Sequence, residues 1–456
     1  MRYRYTSHES FDHDSIDALG YDWERVADPN IKPKFPFKVY LPRSTAHVAA
    51  AVKEAVQLGQ RLRVRSKGHS SNDLVLAEDG VVLCTEKLNQ VVELDVQQRT
   101  IRIQSGAVLA EIDEYLAEYG LGLPVIGDHN HITAGGFASV GGISPASHRF
   151  GLFIDNVLAL EYVDWAGDVR HCGRNSNREE FYRILGGTGR HGVITEMTCR
   201  LEPGQKFRTI VRNQRKLFFS ADAFIDGSQR LITDPGQSLY ERGVWVDFPL
   251  GVGNVRIGQF SSYFPTSQNL YTRLRKRLAY GYLHMLGRWA GRLPKMIDVF
   301  VKFLGMFGII LSPRYGSIKD VESFTDKVLD SSAGDPTRML IVLAPSGTYS
   351  AMFRAMYAVC LESRRQHGAI TFISFYVKAI SSEYLAAGNG SGQFAELMLY
   401  LGIDPQRMTP RILDDMVLRI DNLCIEKGAL RYMHSKTSKD AERLRRIDPN
   451  YLYPQG

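Results

Sequence analysis

The chain has little cysteine: Cys84, Cys172, Cys199, Cys360 and Cys424 are its only five in 456 residues, with no Cys-x-x-Cys pair. That excludes a disulfide-stapled scaffold and a small zinc module, and the reading it favours is a reducing, cytoplasmic setting. No internal repeat or low-complexity tract interrupts the sequence, and no Gly-x-x-x-x-Gly-Lys-Ser/Thr phosphate loop occurs in it. The first ten residues, MRYRYTSHES, lack the apolar stretch of a secretory signal. A strongly apolar run, Met296 to Leu311, is interrupted by Asp298 and Lys302 and is too short to span a bilayer.

What is present is an ordinary globular composition, 44% apolar and 23% charged, which excludes disorder. The length suits two or three domains. The formal charge of +7 is unevenly placed. Eight of the 56 basic residues and one of the 49 acidic ones lie between Gln268 and Phe303, so the remainder, 48 of each sign, is formally neutral.

Hydrophobic spacing predicts a helix over Thr45 to Leu58 behind a Ser44/Thr45 cap, then strands at Arg61 to Arg65, Gly80 to Thr85, Val91 to Asp95 and Thr100 to Gln104. A second helix, Val108 to Tyr119, ends at Gly120. The Gly-, Ser- and Ala-rich stretch from Gly127 to Gly151 reads as extended loops. A strand at Val157 to Asp164, a helix at Arg178 to Leu185 and a strand at Val193 to Leu201 follow, and Glu202-Pro203-Gly204 marks a domain boundary. Longer elements come next, such as Thr348 to Arg364 and Ala369 to Lys378, and a polar tail runs from Ala441. The order of elements fits an α+β fold in two domains.

Gly187-Thr-Gly-Arg-His-Gly192 has the glycine spacing of dinucleotide-binding folds, but the predicted helix precedes it and the strand follows. That is the reverse of the order a pyrophosphate at a helix N-terminus requires, so a nicotinamide site is not assigned here. Arg65-Ser-Lys-Gly-His-Ser70 is a polar turn directly after a strand, where successive backbone N–H groups form an anion-binding nest. On its own this turn reads more readily as an ordinary loop with a surface histidine. It is followed by Gly127-Asp-His-Asn-His-Ile-Thr133-Ala-Gly135-Gly136-Phe-Ala-Ser139-Val-Gly-Gly142-Ile143-Ser144 and by Gly192-Val-Ile194-Thr195.

In this order and spacing the chain resembles the PCMH-type FAD-binding fold of the vanillyl-alcohol-oxidase family, and within it most of all the cytokinin dehydrogenases. The resemblance runs from about Phe37 to Pro203, with a tail at Arg446-Ile-Asp-Pro449. It implies an extension at residues 1–36, a FAD-binding domain at 37–204, an α+β substrate or cap domain at 205–420 and a return to the FAD domain at 421–456. It implies FAD as cofactor, bonded through His69, with Ser66, Lys67, Gly68 and Ser70 along the pyrophosphate and ring. Lys67 departs from the small residue often found before this Gly-His pair. Thr133, Gly135, Gly136, Ser139, Gly142, Ile143, Val193 and Ile194 are implied as further FAD contacts, the glycines because they let the backbone approach closely. The absence of cysteine between Gly127 and Gly142 argues against a doubly tethered flavin.

Asp128 stands where the related enzymes carry the substrate base, although an Asp after Gly also suits an ordinary turn. His129 and His131 flank it, but two histidines without a third ligand do not define a metal site. In Arg431-Tyr-Met-His-Ser-Lys436, Tyr432 and Lys436 are the candidates for the flavin's pyrimidine edge, where a cation stabilises the anionic reduced ring. The implied reaction is oxidation of a CH–OH or CH–NH group of a small organic metabolite by hydride transfer to flavin N5, with O2 or a quinone-like acceptor. The basic and apolar insert at 268–311 supports two readings, a hydrophobic lid or interface and a peripheral contact with an anionic membrane. The second brings with it a lipid-linked sugar or other apolar substrate, and a flavin-binding sensor or scaffold without turnover is the alternative of another class. No nucleic-acid-binding motif accompanies the charge.

Overall fold

The structure is a computed structural model that describes residues 4–5, 19–22, 32–127, 132–203, 209–250, 253–289, 314–319, 337–390 and 392–452. Three sheets organise it. The first is parallel, with β1 (Arg4–Tyr5), β2 (Lys38–Tyr40), β3 (Leu62–Arg65) and β4 (Val81–Cys84) in the order β1-β2-β4-β3. Helix α1 (Thr45–Gln57) packs Val48, Val52 and Ala55 inward, and its first turn is closed by the Ser44 hydroxyl, which accepts from the His47 N–H at 3.3 Å. The second sheet is antiparallel and contains β5 (Val91–Asp95) and β6 (Thr100–Gln104). Helix α2 (Leu109–Ala117) leads from β6 to the short strand β7 (Leu121–Gly122). The same sheet is completed by β8 (Val157–Val163), β9 (Val169–Gly173) and β10 (Val193–Arg200), in the order β5-β6-β10-β8-β9. Strand β11 (Glu202–Pro203) then pairs with β7.

The third sheet has eight antiparallel strands: β12 (Ile210–Phe218), β13 (Tyr240–Leu250), β14 (Gly253–Pro265), β15 (Tyr315–Ser317), β16 (Thr337–Pro345), β17 (Ile370–Ser381), β18 (Gln393–Ile403) and β19 (Leu430–Arg431). Their order is β15-β12-β14-β13-β17-β18-β16-β19. Because strand side chains alternate, the sheet has two chemically distinct faces. Trp245, Leu340, Val342, Phe375 and Leu397 pack against helices over Ala221–Thr233, Tyr349–His367 and Pro410–Lys427. On the other face Ile341, Leu343, Ile380, Phe394, Leu430 and Tyr432 join one continuous core with Ile103, Leu116, Phe137, Phe153 and Met197 of the preceding sheet and its helices. The third sheet is therefore a wall laid over the second, and what lies between them is positioned by both.

The fold class is α+β, as expected. The stretch from Gly127 to Gly151 is not all loop: it contains α3 (Ala134–Val140) and a short turn of helix at Ser147–Phe150. Glycine disfavours a helix in isolation, so composition conceals it. Packing holds it instead, with Ala134, Gly135, Phe137 and Ala138 buried and Thr133, in extended backbone, starting it. The polar tail likewise holds a helix, Ala441–Ile447, capped by the Asp440 carboxylate, which accepts from the Arg443 N–H at 2.8 Å. All five cysteines are buried and unpaired, and burial pushes each thiol up to about 12.

Candidate functional site

The turn after β3 sits at the carboxyl end of a parallel sheet, where open α/β sheets receive ligands. Gly68 has φ +72, and a Cβ there would lie 2.3 Å from Arg65 Nη2, so only glycine allows the chain to fold over the buried arginine. Arg65 is held in turn by its bond to the Tyr21 carbonyl at 2.7 Å. Lys67 turns outward to an ion pair with Glu86 at 2.9 Å, which explains how a long side chain is accommodated before Gly68. His69 is half-buried. The hydroxyl oxygens of Ser66 and Ser70 are buried without a hydrogen-bond partner among the described residues, and so is that of Ser105 in the turn after β6.

That second turn is built by close backbone approaches. Gly106 donates to the Leu88 carbonyl at 2.7 Å and a Cβ on it would meet the Thr85 carbonyl at 2.0 Å, while the Ser105 N–H donates to the Thr195 carbonyl of the strand β10 end at 2.9 Å. Gly135 packs its Cα side on Ser105, where a Cβ would fall 2.6 Å from the serine's own, and its N–H donates to the Ser105 carbonyl at 2.7 Å. Gly136, the next residue, is exposed beside buried neighbours. Ser139 donates to the Gly135 carbonyl at 2.7 Å and accepts the Thr188 N–H on its own carbonyl at 2.8 Å. Thr133, Ile143, Val193 and Ile194 are buried, the last two paired with Val163 and Tyr162 of β8.

The C-terminal segment completes the arrangement. The Ser71 N–H and hydroxyl both donate to the His434 carbonyl, at 3.0 and 3.2 Å, and the Asn72 side chain bonds the Met433 carbonyl and the Thr437 hydroxyl. Two stretches 363 residues apart are thereby tied edge to edge. Tyr432 accepts the Gly142 N–H at 3.1 Å, and a Cβ on Gly142, at φ +79, would lie 2.4 Å from that of Phe153, so the approach demands glycine. The Tyr432 ring stacks on His434 at 5.5 Å. Burial, and then the nearby Glu396 carboxylate, hold the Tyr432 phenol above its ordinary range. Lys436 is placed differently from expectation: its ammonium lies 3.8 Å from Asp414, so the side chain is directed to the helix at Pro410–Lys427. His434, which sequence reasoning passed over, is the residue whose ring stacks on Tyr432, and its buried Nδ1 has no partner among the described residues.

Burial, and then the Lys378 charge, lowers the His434 pKa from 6.5 to about 4. The folded chain thus refuses a proton that the unfolded chain accepts between those values. Stability should fall as pH drops through that window, by up to about 3 kcal/mol. Urea midpoints at pH 7 and pH 5 check this, since His434→Gln should lose that part of the acid dependence and an unchanged difference would refute it.

The facing wall was not legible in the sequence. On it Lys378 and Glu396, opposite each other on β17 and β18, form a buried ion pair at 2.8 Å. On the neighbouring strand Arg242 is fully buried, with Tyr240, Tyr263 and Tyr376 around its guanidinium, and no carboxylate pairs with it among the described residues. Tyr240 and Tyr263 pack against Ile126 and Ala146, and the Glu241 N–H donates to the Pro145 carbonyl at 2.8 Å. Asp128, His129 and His131 lie outside the described residues; Gly127, the last described residue before them, follows Ile126, which packs against Tyr240 and Tyr263. The Gly-x-Gly-x-x-Gly motif serves another purpose. Its Arg190 pairs with Asp448 at 2.6 Å and with Asn450 at 3.0 Å, clamping the C-terminal tail to the turn before β10.

The residues present fit FAD: close-approach glycines beside three buried serine hydroxyls and an imidazole nitrogen that have no hydrogen-bond partner among the described residues. Residues 36–173 match the FAD binding domain family. Over this span the chain is similar to PCMH-type FAD-binding flavoproteins. Its neighbours there are the cytokinin dehydrogenases: it is 31% identical over 204 residues to cytokinin dehydrogenase 1 of Arabidopsis thaliana, covering 43% of this chain and 35% of that one. Cytokinin dehydrogenase 2 of the same plant is 29% identical over 324 residues, 69% and 61% of the two chains. An uncharacterized oxidoreductase, ORF5 in the fasciation locus of Rhodococcoides fascians, is 37% identical over 166 residues, 36% and 37%. The matched regions span between about a third and three-fifths of these relatives.

Proposed function

We propose that the protein is a FAD-dependent oxidoreductase that oxidises a CH–OH or CH–NH carbon of a small organic molecule, in a two-domain PCMH arrangement with FAD on residues 37–204 and 421–456 and substrate under the wall of residues 205–420. The observation that carries this reading is the junction of the 66–72 turn with residues 432–437, which closes a cleft whose buried polar atoms lack partners among the described residues. Bound FAD supplies the two-electron acceptor, a hydride entering at N5. The chain's own residues do the rest. Ser66, Ser70 and Ser105 donate hydrogen bonds into the cleft, and Gly135 and Gly136 let the backbone come close. Tyr432 and His434 stand at one edge as neutral groups that orient without adding charge. Asp128 takes the proton from the substrate's O–H or N–H as the hydride leaves carbon. Arg242, desolvated and ringed by phenols, meets an electron-rich part of the substrate, and the apolar core shared by the two sheets keeps water out. Electrons leave to O2 or a quinone-like acceptor.

His69 carries FAD covalently in this reading. Its imidazole would hold the flavin ring in place and raise its reduction potential. The expected result is that the purified yellow protein keeps its flavin after acid denaturation, whereas His69→Ala binds FAD when folded and releases it in acid. Flavin washing out of the parent protein would end the covalent proposal alone. A purified chain that takes up no FAD under any condition would end the functional one.

A further inference from the structure

Five of the eight basic residues between Gln268 and Phe303, namely Arg273, Arg275, Lys276, Arg277 and Arg288, lie on one helix, α4 (Leu270–Trp289), whose start is fixed by the Asn269 side chain accepting the Thr272 N–H at 2.9 Å. The structure describes the 268–311 insert only as far as this helix. Thr272 and Ala279 are buried and turn the helix onto β12 and β15, where Tyr271 meets Tyr315 edge-on at 5.8 Å. At about 100° per residue, Leu270, Leu274 and Leu278 fall within about 80° of one another, with Tyr271 beside them and Thr272 and Ala279 on the opposite side. These four are 84%, 55%, 60% and 57% exposed, in that order, an outward stripe of large apolar side chains. Arg273 and Arg277 flank it on one side and Arg275 on the other, and no acidic residue occurs in the helix.

A stripe of leucines that faces solvent between two rows of arginines is costly in water unless something apolar and negatively charged covers it. A polyanion such as nucleic acid would use the arginines and leave the leucines in water. A second copy of the chain would bring its own positive charge to the same place. An anionic lipid leaflet satisfies both halves, acyl chains taking the leucines and headgroup phosphates the guanidinium groups, which is the pattern of an interfacial helix. We infer that this helix docks the protein on an anionic membrane surface, lying in the headgroup plane. The inference stands apart from the flavin chemistry, since none of its residues belongs to the cleft.

The test is co-sedimentation of the full-length, flavin-loaded protein with vesicles of phosphatidylcholine alone and of phosphatidylcholine mixed with phosphatidylglycerol. The expected result is binding to the mixed vesicles that weakens with salt and is lower on the neutral ones. Leu274→Gln with Leu278→Gln should reduce it about ten-fold or more through lost apolar burial. Arg275→Gln with Arg277→Gln should reduce it on the mixed vesicles only. Flavin content and thermal midpoint should not move, because these side chains make no core contacts. Binding by parent and variants alike, or no binding to mixed vesicles at low salt, overturns the inference. So does a dimer in solution that the leucine substitutions dissolve while vesicle binding is absent, or retention on heparin without any vesicle binding.

Discussion

Arg431→Met is expected to destabilise the protein by about 3–5 kcal/mol, the usual cost of removing one partner from a buried ion pair. Both Arg431 and Asp421 are fully buried, between β19 and the helix at Pro410–Lys427. The guanidinium also donates to the Ile341 carbonyl at 3.0 Å and to the Lys436 carbonyl, while the second Asp421 oxygen accepts the Ser438 N–H at 2.9 Å. One pair thus anchors both ends of residues 431–438, the segment that carries Tyr432 and His434 to the cleft and binds the 71–72 turn. Methionine keeps much of the volume but leaves the Asp421 carboxylate uncompensated in a dry layer. Loss of bound FAD should accompany the loss of stability. Arg431→Met with Asp421→Leu, which removes both charges, should recover a substantial part of it. Urea unfolding of the three proteins, with flavin content read from the visible spectrum, decides the matter. A single variant within about 1 kcal/mol of the parent would show that the pair anchors nothing.

How far the sequence reveals this molecule depends on whether a feature is periodic, local or assembled. The helix at Thr45–Gln57 and the strands at Val91–Asp95 and Thr100–Gln104 are legible because each buries one face and its residues repeat at the matching period. The motifs that carry the resemblance are legible as a set, and glycine at 68, 135 and 142 is demanded by close contacts in this chain. Helix α3 is hidden because the close approach that selects Gly135 also removes the helix-forming composition. Lys436 and His434 are two residues apart, and a chemistry-bearing motif does not say which of them faces the cleft. The pair that anchors them is hidden in the same way: Asp421 and Arg431 look like surface charges until β19 is seen between two layers. Arg242, Lys378 and Glu396 stand on long strands from separate parts of the chain, and only the pairing register brings them together on one sheet. Such a wall has no local signature.

Asp128→Asn is expected to slow substrate-driven flavin reduction by about 10²–10⁴-fold while leaving flavin content and fold intact. Both described residues that flank positions 128–131 are held in place. A Cβ on Gly127 would fall 2.1 Å from Ile132 Cδ1, so the two ends of the 128–131 stretch lie side by side. One end follows Ile126, packed under Tyr240 and Tyr263, and the other is pinned by the Leu109 N–H donating to the Ile132 carbonyl at 2.9 Å. From Ile132 the chain runs straight into Thr133 and α3, one wall of the cleft. These anchors are the described neighbours of position 128, and in the proposed reaction its carboxylate is the group that takes the substrate's proton. Asparagine keeps the shape and removes the basicity. Anaerobic bleaching with any compound that reduces the parent protein measures the rate directly. If the variant bleaches within about three-fold of the parent, the proton goes elsewhere, and Glu396, paired with Lys378 on the facing wall at 2.8 Å, becomes the carboxylate to replace next.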